Sequence, residues 1–330
     1  MKNPKILPKT AIIAITEKCN SRCTFCKTWE CENPVDLDER LIDSLPDSLR
    51  EINITGGEPF LHKKIVSIVE KFFLKGCKVI INTNGLVRIS NDSPLLKLKK
   101  VGIRFSLDGI GEVHDSLRGV PGNYKKVITQ IDDLQSWGFK DLGIVSTFSD
   151  ANWHQLEPLY ELSQSLQVGF TCAVAANSEF FYHTTDNGFK NAGPFIATLR
   201  KIIHREISAL KLKNLGKALF MSTLARFASS QIKVLSCSAG KSFFFMVPSG
   251  EIFACNMREL FMGNLNKSSF EDIWFSPVSE RIKTFTAQCA KPCWTMCNAK
   301  QVLKDNLAAY CLKFFQPMGI PYEQSKLVRS

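Results

Sequence analysis

Between residues 10 and 173 the chain alternates short, β-branched apolar runs with longer amphipathic stretches, and this alternation limits the fold more than any other feature. The runs are "TAIIAIT" (Thr10 to Thr16), "EINIT" (Glu51 to Thr55), "KVIINT" (Lys78 to Thr83), "VGIRFSL" (Val101 to Leu107), "DLGIVSTF" (Asp141 to Phe148) and "VGFTCAV" (Val168 to Val174). They are mostly apolar along their length, as strands buried on both faces of a parallel sheet are. Between them lie helical patterns such as "FLHKKIVSIVEKFFLKG", where Phe60, Leu61, Ile65, Ile68, Val69, Phe72 and Phe73 recur at helical spacing and stop at Gly76. Six such units with right-handed crossovers predict an α/β fold, a partial (β/α)6 TIM-like barrel. In barrels of this kind the site gathers at the C-terminal ends of the strands. There the sequence places Gly56 and Gly57, Thr83 and Asn84, Ser106 and Asp108, and Ser146 and Thr147.

The predicted organisation is a core at 1–177, a helical connector at 178–232, a cysteine-rich module at 233–312 and a loosely ordered tail at 313–330. In the connector, Phe195, Leu199, Ile202, Ile203, Ile207 and Leu210 mark an apolar face opposite Arg200, Lys201, Arg205 and Lys211. The net charge of +11 is scattered, without a basic stripe interleaved with aromatics, which argues against nucleic acid. It suits an acidic electron donor or an anionic substrate. No uncharged apolar run is long enough to span a bilayer, and Ala11 to Ile15 is too short for a signal sequence, so a cytoplasmic protein is expected. Twelve cysteines in that compartment point to metal rather than disulfides.

Three of them stand as Cys-x3-Cys-x2-Cys at Cys19, Cys23 and Cys26, directly after the first predicted strand. A structural zinc site needs four ligands and would recruit Cys31. A 4Fe-4S cluster held by three thiolates instead leaves one iron open. The stretch "CNSRCTFC" (Cys19 to Cys26) resembles the signature of the radical S-adenosylmethionine (SAM) enzymes. That resemblance implies a cluster on Cys19, Cys23 and Cys26 whose fourth iron is chelated by the methionine moiety of SAM. It further implies reductive cleavage of SAM to a 5'-deoxyadenosyl radical that abstracts hydrogen from a substrate. Phe25 would then lie near the adenine. "TGGEPF" resembles the family's glycine-rich motif, so Gly56 and Gly57 would bring backbone close to the ligand and Glu58 would mark the amino-group contact region. "FSLDGIGEVHDSLRG" resembles a fourth-strand segment in which Ser106 and Arg118 bind the cofactor carboxylate and Asp108 sits near the ribose. His114 and Asp115 are helix-surface residues or act indirectly, and Asn84 and Thr147 are weaker ribose or backbone contacts.

The second cysteine set resembles the SPASM or twitch auxiliary-cluster modules: Cys237, Cys255, Cys289, Cys293 and Cys297, with Cys311 beyond. Ser249 and Gly250 are expected to turn a hairpin that brings Cys237 and Cys255 together. Cys-x3-Cys-x3-Cys replaces the usual spacing of the full seven-cysteine pattern, and the thiols suffice for one fully ligated cluster, not two. One auxiliary 4Fe-4S cluster is therefore expected, on Cys237, Cys255 and two of Cys289, Cys293 and Cys297, with zinc as the alternative. Cys311 reads as a buried small hydrophobe.

Three functions remain open. With eighteen residues ahead of Cys19, no N-terminal peptide-recognition domain or cobalamin domain is expected. This favours an oxidoreductase or isomerase acting on a small sugar- or cyclitol-like metabolite, by dehydrogenation or epimerisation, with the auxiliary cluster handling an electron. The alternatives are a maturase of ribosomally made peptides or protein side chains, and a non-catalytic metal-binding or redox-sensing scaffold. A flavodoxin- or ferredoxin-like partner would supply the electron. Cys172, at the end of the sixth strand, is the one candidate hydrogen donor, against a core-packing role.

Overall fold

The computed structural model describes residues 6–209, 212–230 and 236–305 and, within these, only the backbone of 212–213 and 296–298. Cys311 and the predicted tail lie outside the described residues. All six predicted runs form strands: β1 (Thr10–Ala14), β2 (Glu51–Thr55), β3 (Lys78–Thr83), β4 (Val101–Ser106), β5 (Leu142–Phe148) and β6 (Gly169–Val174). Each pairs in parallel with the next. Parallel neighbours need crossovers. These contain α1 (Ile65–Leu74), then α2 (Glu112–Arg118) with α3 (Asn123–Ser136), then α4 (Leu156–Ser165). Two connections are lighter than predicted and carry 3-10 turns, at Glu39–Ile42 and Pro94–Lys97. The helix expected from Phe60 is also shortened. Pro59–Leu61 is a 3-10 turn, and extended backbone at His62 delays α1 until Ile65.

The two faces of the sheet differ, which corrects the expectation of strands apolar on both. Ile52, Ile54, Ile81, Ile103, Phe105 and Ile144 pack into the core beneath the helices. Each buried side chain of this size contributes about 1.5–3 kcal/mol. Their alternates on the concave face include Asn53, Thr55, Asn82, Arg104, Ser106, Thr147 and Thr171, which line cavities instead of core. The polar period in "EINIT" is the trace of this in the sequence.

Past β6, helix does not begin at 178. Residues 178–192 form a loop with a bridge between Ser178 and Thr184, and α5 (Gly193–Ser208) starts with Pro194 in its first turn. Helix α6 (Leu212–Ser230) follows. The predicted hairpin is present as β7 (Phe243–Met246) and β8 (Glu251–Phe253), turning at Ser249 and Gly250, and β9 (Phe261–Asn264) extends it. Then come α7 (Phe270–Trp274), α8 (Pro277–Ala287) and α9 (Met296–Asp305). The hydroxyls of Ser269 and Ser276 cap α7 and α8 by accepting from Asp272 N and Ser279 N.

Strand β7 lies parallel to β1, from Thr10 opposite Phe243 to Ile13 opposite Met246, so the cysteine-rich module continues the barrel sheet. Helix α9 returns to the barrel as well. Lys300 and Lys304 reach Glu51 on β2 at 2.5 and 3.0 Å, and the Thr10 hydroxyl donates to Gln301 at 3.1 Å. Burial alone would raise Glu51, but the two lysines outweigh it and hold its carboxyl at about 2.

Candidate active site

Chain geometry just before Cys19 fixes the cluster motif in place. Leaving β1, the backbone runs against the end of β2: Gly57 N donates to Thr16 O at 2.8 Å and Glu58 N to Lys18 O at 2.7 Å. A Cβ on Gly57 would stand 2.1 Å from Lys18 O, and one on Gly56, which has φ +130°, 2.2 Å from Thr16 O. The two glycines line the pocket, as expected. Their missing side chains make room for the chain's own backbone at Thr16 and Lys18.

Cys19, Cys23, Phe25, Cys26, Asn84, Ser106, Arg118 and Thr147 all line that pocket. Burial pushes the Cys19 thiol up to about 11, with Cys23, Glu58 and Cys26 adding to the effect. Burial raises Cys23 too, against the pull of Arg118. Bare thiolates at Cys19 and Cys23 are thus unfavourable here without a compensating cation, and with Cys26 on the same pocket the donor set fits an iron-sulfur cluster. Cys31 is exposed and stands apart, its thiol 3.8 Å from Glu17.

Arg118 comes to the pocket from α2. Its Nε donates to Asp108 at 2.6 Å, its Nη1 lies 3.8 Å from Cys23 Sγ, and its guanidinium sits 5.2 Å over the Phe25 ring. Asp108, fully buried, also accepts from Thr147 N at 2.7 Å. Behind it, His114 Nδ1 accepts from Asp108 N at 3.1 Å, and Nε2 meets Asn123. Burial, then Arg118, push His114 down to about 3, which keeps it neutral. Asp108, expected beside the ribose, has both carboxylate oxygens hydrogen-bonded within the protein, one to Arg118 and one to Thr147 N. The helix places His114 one step further back, and Asp115 accepts from Gly122 N and Tyr124 N to hold the following turn.

Glu58 is likewise a tether. Its carboxylate is fully buried and accepts from Phe60 N (3.0 Å), the Thr83 hydroxyl (2.8 Å) and Asn84 N (2.7 Å), joining β2 to β3. Asn84 then donates to Asn20 and Ser21 within the cysteine loop, at 2.8 and 2.9 Å. Burial pushes Glu58 up to about 7 against these donors. Glu58→Gln keeps one carbonyl oxygen and replaces the other by an NH2 group, so at least one of the three donors faces a donor instead of an acceptor; the change is expected to cost about 1–3 kcal/mol, read as a lower thermal midpoint. Because the folded-state value is raised above the ordinary 4.3, this group's favourable contribution is present below about pH 4 and lost as pH rises through about 7. The stability gap between wild type and Glu58→Gln should therefore narrow over that window.

Sequence reasoning missed the loop that covers the pocket. Trp29, Phe181 and Tyr182 line it, and Lys27 N donates to Tyr182 O at 2.9 Å while Asn187 Nδ2 donates to Phe25 O at 3.0 Å. Phe181 stacks edge-on with Phe245 of β7 at 5.5 Å, and Phe180 lies 4.7 Å from Phe253. The signal available was the aromatic run "FFYH" in a segment read as helical.

These rings back onto the second cysteine group. Cys237, Cys255, Cys289 and Cys293 border one cavity. Cys255 is raised by burial, with Cys237 and Cys289 near enough to add to it. Arg258 Nη1 stands 3.9 Å from Cys289 Sγ. Four clustered thiols beside a cation again suit an iron-sulfur cluster. Cys297 lies on α9, with its side chain outside the described residues. Cys172 does not reach either cavity. It is fully buried in the helix-side core, on the face opposite Thr171, and burial pushes its thiol up to about 12.

Known proteins resemble this chain in both of its cysteine-bearing regions. A family profile described as the radical SAM superfamily matches residues 13–162, and one described as an iron-sulfur cluster-binding domain, SPASM, matches 237–298. Over 301 residues the chain is 25% identical to the antilisterial bacteriocin subtilosin biosynthesis protein AlbA of Bacillus subtilis, covering 86% of this chain and 64% of AlbA. It is 24% identical over 295 residues to an AdoMet-dependent heme synthase of Methanosarcina barkeri, covering 81% and 82% of the two chains. The fold is shared with Streptococcus suis SuiB bound to its precursor peptide SuiA, at TM-score 0.62 and 19% identity over 84% of this chain and 67% of that one. Among the described residues no helix is long and apolar enough to cross a membrane. With its three-cysteine loop, its cofactor pocket and its C-terminal thiol cavity in place, the chain belongs to the radical SAM superfamily, as an iron-sulfur enzyme of the SPASM-containing group.

Proposed function

We propose that the enzyme abstracts hydrogen from a small, polar, sugar- or cyclitol-like metabolite held inside the barrel, in a dehydrogenation or epimerisation. The observation that supports this reading is a cavity of about 350 Å³ on the concave face of the sheet, lined by Asn53, Asn82, Arg104 and Thr171 among others. Its size is that of a small-ligand site, and its walls offer hydrogen-bond donors and acceptors. Asn82 borders both this cavity and the cofactor pocket above it.

The 4Fe-4S cluster and SAM, when bound, supply one-electron reductive cleavage and a hydrogen-atom acceptor. The chain's own residues set the geometry. Cys19, Cys23 and Cys26 hold the cluster. Ser106 and the Asp108-anchored fork of Arg118 orient the SAM carboxylate, and Phe25, Asn84 and Thr147 close the adenosyl side. Cys237, Cys255, Cys289 and Cys293 hold an auxiliary cluster, which Phe180 and Phe181 screen from water, so that an electron can leave or return to the substrate. An acidic flavodoxin- or ferredoxin-like protein delivers the first electron to this +11 chain.

A second reading, maturation of a peptide, is favoured by the similarity to AlbA and by the fold shared with SuiB, which was crystallised with a precursor peptide. Incubation of the reduced enzyme with a panel of sugars and cyclitols tests the choice. Stimulated 5'-deoxyadenosine above the substrate-free level supports the small-molecule reading. Stimulation by a candidate peptide alone overturns it.

A further inference from the structure

Closed barrels fill their interiors with layers of bulky side chains. Here the sheet is open, running from β6 to β9, and one stretch of its concave face is bare for a local reason. In register, Arg104 on β4 faces Gly143 on β5, which faces Gly169 on β6, so two adjacent positions carry no side chain. A Cβ on Gly143 would stand 2.9 Å from Arg104 Cδ. Arg104 lies across this gap and donates to Asp141 at 2.6 Å.

Cations crowd the N-terminal end of the cavity: Lys78, Arg104, Lys217 and Lys300 all border it. Carboxylates there are fewer. Asp141 serves both Lys78 (3.0 Å) and Arg104 (2.6 Å), Glu51 serves both Lys300 and Lys304, and Glu206 takes Lys217 at 2.5 Å. Five cations thus share three carboxylates, and each ammonium keeps donors to spare.

Resting on the small-molecule reading above, we infer that this cavity takes an acidic substrate, its carboxylate or phosphate oxygens held among Lys78, Arg104, Lys217 and Lys300 and its reacting carbon directed toward Asn82. The strands set the ruler. At about 3.3 Å per residue, Arg104 lies about 7 Å below Ser106 and Lys78 about 13 Å below Asn82. The C–H that reacts is therefore about 7 to 13 Å from the substrate's oxyanion.

The test is calorimetric titration of the reconstituted, SAM-bound protein with inorganic phosphate and, separately, succinate, at constant ionic strength. Saturable binding is expected, weakened about fivefold in Lys78→Gln and at least as much in Val145→Phe, which fills the cavity without altering charge. SAM affinity should stay unchanged in both. Tighter binding of phosphate assigns a phosphorylated substrate, and tighter binding of succinate a carboxylated one. No saturable binding of either anion, or binding that both variants leave intact, overturns the inference. If neutral sugars raise 5'-deoxyadenosine while neither anion binds, the acidic-substrate inference falls and the small-molecule reading stands. If anion binding is lost in both variants yet no small molecule stimulates turnover, the site stands and that reading falls.

Discussion

Gly57→Ala is expected to lower SAM cleavage at least ~100-fold and the thermal midpoint by several degrees, although it adds a single methyl group. The added carbon would lie 2.1 Å from Lys18 O and 2.5 Å from Lys18 C, both backbone atoms, so no rotamer change relieves the contact. Something must move, and what moves is the segment that enters Cys19. The hydrogen bonds from Gly57 N to Thr16 O and from Glu58 N to Lys18 O would break with it. Iron bound after reconstitution should fall with activity, since the loop no longer presents Cys19, Cys23 and Cys26 together. Gly76→Ala is the control. Gly76 has φ +77° but open space around its Cβ, so that variant carries backbone strain without a clash and should lose about 1 kcal/mol while keeping its cluster. A Gly57→Ala protein with wild-type iron content would show that the approach of β2 to the cysteine loop does not matter.

Asp108→Asn should have the next largest effect. Asp108 is fully buried and is the carboxylate partner of Arg118, itself nearly buried beside Cys23. Removing one charge of a buried pair costs about 3–5 kcal/mol because the other is left uncompensated. Here the uncompensated group is the guanidinium assigned to the SAM carboxylate. We expect a lower thermal midpoint and a SAM dissociation constant raised at least tenfold, which corresponds to about 1.4 kcal/mol. Asp108→Glu should not rescue it, because a longer carboxylate cannot keep both Arg118 and Thr147 N at their present 2.6 and 2.7 Å. Unchanged SAM affinity in Asp108→Asn would remove Arg118 from the cofactor site.

How much of this was legible in the sequence depends on how far apart the interacting residues lie. The six strands announce themselves through local apolar runs, and the three-cysteine loop and the Ser249-Gly250 hairpin through short spacings. Partnerships across the fold leave no such mark. Nothing local says that Asp108 meets Arg118, that Glu58 joins β2 to β3, or that β7 lies beside β1. The backbone approach that Gly56 and Gly57 permit is unmarked for the same reason, since the atoms they accommodate belong to residues some forty positions earlier. The loop of Phe180 to Tyr182 was lost differently: its apolar residues read as helix, whereas Phe181 and Tyr182 border the first cysteine pocket and Phe180 and Phe181 pack against the hydrophobic cluster holding Cys237 and Cys255. The polar concave face did leave a signal, the alternation of Glu51, Asn53 and Thr55, and the apolar bulk of the neighbouring strands masked it.

The most direct measurement is 5'-deoxyadenosine formation by the anaerobically reconstituted protein with dithionite and SAM, beside a Cys19, Cys23, Cys26→Ala triple variant. The account predicts steady production by the wild type and none above background by the variant, even though its C-terminal thiols still bind iron. Equal production by both proteins would contradict it, because the cleavage would then occur somewhere other than the loop that Gly57 and Arg118 hold in place.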